Sequence, residues 1–119
     1  MPEEDNLVAH FCTYKRWQLR DRDNLEALRK LVAEEIVPRY AILPGCQKLS
    51  LELIDESDAV LTIQVWDDRT TWETVLQSEA YARWFREYQP ILELWDELAI
   101  FVDEWTADAL GIDPPGQSD

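Results

Sequence analysis

Residues 47–78 read QKLSLELIDESDAVLTIQVWDDRTTWETVLQS, and they decide the fold prediction. Two runs, 47–54 and 59–66, alternate between polar and apolar side chains, and the polar segment 55–58 separates them. Such alternation is typical of strands with one buried face, and the short polar connection predicts an antiparallel hairpin. A helix is expected to follow, with Thr70 and Glu73 as its capping box.

Two amphipathic helices are predicted on either side of this hairpin. The first begins at a capping box of Asp23 and Glu26, and Pro38 is expected to kink or end it because proline lacks a backbone donor. The second begins at Ser78, and Pro90 is expected to divide it. The apolar positions at helical spacing are Leu25, Leu28, Leu31, Val32, Ile36 and Tyr40 in the first, and Tyr81, Trp84, Phe85, Tyr88, Leu92 and Trp95 in the second.

The order of elements predicts the architecture. Residues 7–17 and 99–105 are rich in β-branched and aromatic side chains and predict a first and a last strand. Strand, helix, strand, strand, helix, strand is the split βαβ order of the ferredoxin-like α+β fold, a four-stranded antiparallel sheet with helices on one face. We expect one domain over residues 1–119, with a core at about 7–105 and a flexible tail at 106–119.

Alternation also predicts which side chains share a face of the hairpin. Leu49, Leu51 and Leu53 lie on one face of the second strand, and Leu61, Ile63 and Val65 on one face of the third. If these two apolar faces coincide, the polar side chains collect around Trp66 on the other face, as a ligand cavity or a wet interface. The polar set is Ser50, Glu52, Thr62 and Gln64. Because helices cover only one face of such a sheet, a homodimer through the sheet is expected.

Composition excludes several classes of partner. Eleven Lys plus Arg against twenty-five Asp plus Glu give a net charge of −14, so nucleic acid and anionic membranes are not expected as partners. The acidic start and the absence of a long apolar run predict a soluble, cytoplasmic protein without a targeting signal or a membrane span.

Cys12, Cys46 and His10 cannot assemble a zinc site or a disulfide framework. Cys12 and His10 are spaced to share a strand face, as a Cys-His nucleophile pair requires, but free cysteine is more commonly a packed core residue.

The hairpin and its flanks resemble a known family. The PGC sequence at 44–46, the two strands and VWDDRTTWETVLQSEAYARWF at 65–85 are similar to antibiotic biosynthesis monooxygenases, over about residues 7–105. The resemblance implies a dimeric α+β barrel whose sheets pack across a two-fold axis. It also implies oxidation of a hydrophobic phenol, anthrone or quinol by O2, without metal or flavin.

The resemblance assigns roles to particular residues. It places Trp66 on the family's strand-end tryptophan, Trp72 on an aromatic position, Arg86 near a helix arginine, and Thr62 where some members carry an amide. Trp66 and Arg86 would stabilise the substrate anion and the peroxide. His10, the only histidine in the chain, is the candidate base.

Two departures from the family bear on this assignment. Val75 stands where many members have a histidine, and Phe85 stands near the axial histidine of haem-degrading relatives, so no haem is expected. Thr62, Gln64, Trp72 and Glu52 are the candidate substrate contacts, and no metal ligand or cofactor is expected.

Other interpretations stay open from the sequence alone. Trp66 and Trp72 can simply pack the strand-to-helix corner, and Arg86 can be a surface charge. Glu52 and Asp103 are alternative bases, although strand carboxylates are usually solvated. A non-catalytic ligand-binding or stress-related protein is the main alternative function, and a mutase or isomerase is the third.

Overall fold

The computed structural model describes residues 8–54 and 57–111. The strands are β1 (Val8–Leu19), β2 (Cys46–Leu53), β3 (Ala59–Trp66) and β4 (Ala99–Leu110). Helix α1 covers residues 22–41, α2 is Arg69–Leu76 and α3 is Glu79–Leu98. The predicted order of elements is therefore confirmed.

The four strands form one antiparallel sheet in the order β2-β3-β1-β4, which is the ferredoxin-like arrangement. Strand β4 continues beyond its predicted end at residue 105, because Thr106 pairs with Thr13 and Leu110 pairs with Val8. The prediction of a flexible tail is wrong for residues 106–110. Its remainder, 112–119, lies outside the described residues.

Helix α1 passes through Pro38 without ending. It consists of a 3-10 turn (Arg22–Asn24), an α-helical part (Leu25–Leu31), a π-helical part (Val32–Ile36) and a last α-helical part (Val37–Ala41). The wider π-turn comes directly before the proline, which then lies in the first turn of the last part, where a missing N–H is tolerated. The predicted Asp23 cap is also corrected, since the Asp21 carboxylate accepts the backbone N–H of Asp23 at 2.9 Å.

The other two helices begin with side-chain caps. Asp68, not Thr70, caps α2, because its carboxylate accepts the backbone N–H of Thr71 at 2.7 Å. Ser78 caps α3 as predicted and accepts the N–H of Tyr81 at 3.1 Å. Pro90 does not divide α3. Buried aromatic residues on both sides of it pack into one core and hold the helix together: Trp84, Tyr88 and Trp95.

The core lies between the helices and one face of the sheet. Its fully buried side chains are Phe11, Leu28, Val60 and Trp66. We call this side of the sheet the inner face, and the other side the outer face.

The hairpin register corrects the predicted faces. Leu49 pairs with Gln64 and Leu51 pairs with Thr62, so the leucines of β2 share the inner face with the polar side of β3. Glu52 pairs with Leu61 and lies on the outer face. A shift of one residue in register exchanges every side chain between faces, and the sequence of a single strand does not fix that register.

Candidate functional site

A cavity of about 400 Å³ lies between the inner face and the helices. Its floor comes from β1, β3 and β4 and is mostly polar: Thr13, Lys15, Gln64, Trp66, Glu104 and Thr106. Its roof comes from the three helices and is aromatic and aliphatic: Tyr40, Trp72, Leu76 and Tyr81. Tyr14 and Trp105 also border the cavity, although alternation with Thr13, Lys15, Glu104 and Thr106 places their side chains on the outer face.

Strand register explains the polar floor. Thr13 pairs with Gln64 on one side and with Thr106 on the other, which makes one row across three strands. Lys15 pairs with Thr62 and with Glu104, which makes the next row. Because directly opposed residues point to the same face, both rows point toward the helices. The floor therefore carries hydroxyl, amide, ammonium and carboxylate groups beneath an aromatic roof.

The roof is held by contacts between aromatic rings. Trp72 packs on Phe11 with ring centroids 4.9 Å apart, and Tyr40 packs edge-on against Trp84 at 5.0 Å. Burial raises the pKa of Tyr40 and of Tyr81, and neighbouring tyrosines raise the pKa of Tyr40 further. Both phenols therefore stay protonated at neutral pH and are hydrogen-bonding groups without charge.

The tryptophan corner of residues 66–72 forms one wall of this cavity. Trp66 is fully buried, and its indole N–H donates to the Gln64 side-chain oxygen at 3.0 Å. A similar hydrogen bond lies nearby on the same face, where the Trp17 indole N–H donates to the Thr62 hydroxyl at 3.1 Å. The Trp66 N–H is therefore already partnered inside the protein, and it reaches a ligand only if Gln64 moves.

A smaller branch of about 40 Å³ adjoins the main cavity and shares Lys15, Tyr40 and Gln64 with it. Trp95 lines this branch, is 3% exposed, and its indole nitrogen has no hydrogen-bond partner among the described residues. The Thr13 hydroxyl in the main cavity is also buried and, within the described chain, unpartnered. Buried polar atoms are normally satisfied, so both groups mark where a ligand or an ordered water would bind.

The structure brings together four of the seven predicted site residues. Gln64, Trp66 and Trp72 line the main cavity, and Thr62 lines the smaller branch.

The other three predicted site residues lie elsewhere. Arg86 is exposed on α3 and lines neither branch. His10 lies on the outer face, since alternation along β1 places it with Cys12 and away from Phe11 and Thr13. Glu52 also lies on the outer face.

The site residues predicted from the sequence leave out nine of the residues that line the main cavity: Thr13, Tyr14, Lys15, Tyr40, Leu76, Tyr81, Glu104, Trp105 and Thr106. The sequence did contain a signal for Thr13 and Lys15. These two residues lie between Phe11 and Trp17 at a spacing of two, so all four side chains share one face of β1. Two polar side chains on a face that also carries large aromatic residues indicate a wetted part of that face. Glu104 had no such signal, since only the β1–β4 register places it beside Lys15.

The described residues give no sign of a metal centre. Among residues 8–54 and 57–111, no three His, Cys, Asp or Glu side chains are grouped so that they could hold a metal ion. In the same ranges, no helix has both the length and the apolar character needed to cross a membrane.

No protein-family model and no curated protein matches this chain. Several solved structures are similar to it in fold. HapK from Hahella chejuensis superposes with a TM-score of 0.61 at 13% identity, over 89% of this chain and 98% of its own. SnoaB, a cofactor-independent oxygenase from Streptomyces nogalater, gives a TM-score of 0.60 at 16% identity, over 90% and 99%.

A third similar structure contains a bound ligand. It is a monooxygenase from the gene ActVA-Orf6 of Streptomyces coelicolor, in complex with nanaomycin D, with a TM-score of 0.64 at 11% identity over 96% of this chain and 97% of its own. The resemblance seen in the sequence is thus confirmed at the level of architecture: the chain has the α+β fold of these three structures.

Proposed function

We propose that this protein is a cofactor-free monooxygenase that oxidises a hydrophobic phenol, anthrone or quinol with O2 in the inner cavity. The observation that carries the proposal is the cavity itself, in which a polar floor faces an aromatic roof. Its volume is within the range of about 300–1,000 Å³ usual for small-molecule sites. The fold shared with a cofactor-independent oxygenase and a ligand-bound monooxygenase supports it.

In the proposed reaction the cavity binds and orients the substrate. The substrate loses a proton, and its electron-rich anion reduces O2 so that a carbon–peroxide bond forms. With a phenol or an anthrone, loss of water from that peroxide leaves a quinone, so that one oxygen atom of O2 is in the new carbonyl and the other is in the water. A quinol already carries both oxygen atoms, and it reaches the quinone by giving two electrons and two protons to O2, which leaves as H2O2. Water exclusion by Tyr40, Trp72 and Tyr81 strengthens every charge interaction with the anion.

The proposal changes two of the roles expected from the sequence. Arg86 and His10 do not line the cavity, so no step is given to them. Glu104 is the carboxylate in the lining and takes the part of proton acceptor, since a base must lie within reach of the proton that it removes. The substrate ring packs against Gln64 and Trp66 of the floor and against Trp72 of the roof. Thr62 lines the smaller branch.

A non-catalytic ligand-binding protein is the second candidate. The observation that favours it is the closed hydrogen bond between Trp66 and Gln64, which removes the indole donor that the family resemblance assigns to the peroxide. Such a protein would bind the same aromatic ligands without consuming O2.

We also propose that the protein is a homodimer joined through the outer face of the sheet. That face carries the apolar side chains Leu61, Ile63 and Val65 on β3, and a stacked pair, Tyr14 and Trp105, with ring centroids 5.4 Å apart. Contiguous apolar surface of this kind is typical of protein–protein contacts. A two-fold contact would cover it with the same face of a second copy.

Oxygen uptake by the metal-free protein tests the enzymatic proposal, with an anthrone and a naphthoquinol as substrates. Thr106→Trp fills the main cavity from an exposed strand position, and Thr74→Trp is the matched control, because Thr74 is exposed and lines a separate apolar groove. We expect saturable uptake with quinone formation, at least tenfold lower in Thr106→Trp and unchanged in Thr74→Trp.

Other results would select among the alternatives. Uptake at the uncatalysed rate together with saturable quenching of tryptophan fluorescence would favour the ligand-binding protein. Substrate conversion that is unaffected by removing O2 would favour an isomerase.

A further inference from the structure

Lys15 holds an unusual position in so acidic a protein. It lies in the middle of β1, is half-buried, and is the one cationic side chain among the described residues that line either branch of the cavity. No ion pair within 4.0 Å joins it to a carboxylate of the described chain, its cross-strand neighbour Glu104 included. A lysine ammonium has three donors, and because no carboxylate of the described chain pairs with this one, it is available to an anionic or strongly accepting ligand in the cavity.

Two further donors point to the same ligand. Thr13 is 7% exposed and lies two residues before Lys15 on the same strand face, and its hydroxyl is one of the unpartnered buried atoms. Trp95 lines the smaller branch together with Lys15, and its indole N–H is also buried without a hydrogen-bond partner among the described residues. The cavity therefore offers three donors of different kinds: Thr13 in the main cavity, Trp95 in the smaller branch, and Lys15, which lines both.

The remaining lining decides which anion fits. An aromatic roof of Tyr40, Trp72 and Tyr81 favours a planar ring. Glu104, beside Lys15, would repel a ligand that enters as a carboxylate. A neutral phenol can enter, donate its proton to Glu104 or through it to solvent, and leave its oxygen anion on Lys15.

We propose that Lys15 is the anion-binding group of the cavity and holds a planar phenol as its phenolate, with the Thr13 hydroxyl and the Trp95 indole N–H as additional donors. This inference rests on the proposed function only in using the same cavity, since it concerns the charge state of the bound ligand and not its reaction with O2. In the ionisation step one O–H bond breaks, the electron pair stays on the phenolate oxygen, and the proton passes to the carboxylate of Glu104.

A dye titration tests this proposal without any turnover. Alizarin, a planar hydroxyanthraquinone, changes its visible absorption when a hydroxyl ionises, and anthraquinone serves as the ligand of similar shape that cannot ionise. Both are titrated into wild type, Lys15→Met, Lys15→Arg and Lys30→Met. Lys30 is exposed on α1 and lines neither branch, so it controls for the loss of one positive charge.

We expect wild-type protein to lower the pH at which bound alizarin ionises by about one unit, which corresponds to tenfold preference for the anion. Lys15→Met should abolish the shift while anthraquinone still binds, Lys15→Arg should keep most of it, and Lys30→Met should equal wild type. Lys15→Gln provides a second neutral variant if Lys15→Met does not fold, as judged by circular dichroism.

Three results would overturn the inference: bound alizarin ionising at the same pH as the free dye, an unchanged shift in Lys15→Met, or no binding of either dye. A full shift in a protein that consumes no O2 would support Lys15 as the anion site and at the same time reject the oxygenase. Oxygen uptake with no shift in the ionisation of alizarin would support the oxygenase and reject Lys15 as the anion site.

Discussion

Gln64 joins the packing of the core to the surface of the cavity. Its side-chain oxygen accepts from the fully buried Trp66 indole, and a hydrogen bond from the same side chain partly offsets the raised pKa of Tyr40. One amide therefore organises a wall residue and a roof residue together. Side chains that satisfy buried donors in this way usually fix the geometry of a site as well as the fold.

Replacing Gln64 by leucine is predicted to destabilise the protein by about 1–3 kcal/mol, the usual cost of leaving a buried donor unsatisfied. Gln64→Glu is the matched control, since it keeps an acceptor for the Trp66 N–H, and it should retain more of the stability at neutral pH. Urea unfolding followed by tryptophan fluorescence measures both. A Gln64→Leu variant as stable as wild type would mean that the hydrogen bond contributes nothing.

For single residues, the sequence predicts which side chains of one strand share a face, but it does not predict which faces of two neighbouring strands coincide. Thr62, Gln64 and Trp66 were placed correctly on one face, because alternation along β3 requires it. Glu52 was placed with them and lies on the other face, because the pairing of Leu51 with Thr62 shifts the register by one residue. Lys15 was not considered, since a lysine in a strand is usually solvated.

Helix α3 is the element that departs most from expectation. It continues through Pro90, and the proline leaves the carbonyl of Arg86 without its helical donor. Local propensity predicts a break at this point, whereas Trp84, Tyr88 and Trp95 bury one continuous face along the helix. Tertiary burial outweighs the local cost here.

Pro90→Ala is therefore predicted to stabilise the protein, by up to about 3 kcal/mol, because it supplies the missing backbone donor and removes the steric conflict with the preceding turn. Pro90 is exposed, so no packing is lost. Pro38→Ala is the matched control and should gain less, since Pro38 lies in the first turn after the π-helical part. Thermal unfolding compares them, and an equal or larger gain for Pro38→Ala would contradict this account.

The strands, in contrast, were largely predictable. The predicted third strand, 59–66, coincides with β3, and the second differs from β2 by one residue at each end. Alternation and the polar loop are strong local signals. The extension of β4 to Leu110 had no local signal, because residues 106–110 become a strand only by pairing with β1.

The four tyrosines determine how the stability of the whole molecule changes at alkaline pH. Burial is the largest cause of a raised pKa at Tyr14, Tyr40, Tyr81 and Tyr88. In the unfolded chain each would ionise near the ordinary value of 10.0. Above that pH the folded state holds more protons than the unfolded state, so the free energy of unfolding decreases as pH rises.

We predict that stability is insensitive to these groups below about pH 10 and falls above it. In the native protein, the tyrosinate absorbance that comes from Tyr40 and Tyr88 should rise only when the protein unfolds, whereas in guanidinium all four tyrosines should ionise near the ordinary pKa. Tyr40→Phe should reduce the alkaline loss, because it removes a group whose pKa is strongly raised. Reversible ionisation of all four tyrosines near pH 10, with the fold intact, would be inconsistent with their burial.

The outer face of the sheet sets the predicted state of assembly. The described helices all lie on the other side of the sheet, and Ile63 lies near the centre of the outer face, opposite Tyr14 on β1 and Ser50 on β2. Exposed apolar residues on β4 continue this face, including Ile100 and Trp105, which are 46% and 38% exposed. We therefore predict a native mass of about twice the 14.0 kDa chain in light scattering at micromolar concentration.

A lysine at the centre of this face would be buried in the dimer without a partner, so Ile63→Lys should shift the mass to that of one chain while circular dichroism stays unchanged. Leu94→Lys is the control, since Leu94 is 50% exposed on α3, away from the sheet, and should leave the dimer intact. Because each copy carries a net charge of −14, repulsion opposes association, and raising the salt concentration should strengthen the dimer. A wild-type protein that stays monomeric at high salt would exclude this interface, and with it the closed, two-sheet arrangement that the sequence resemblance implies.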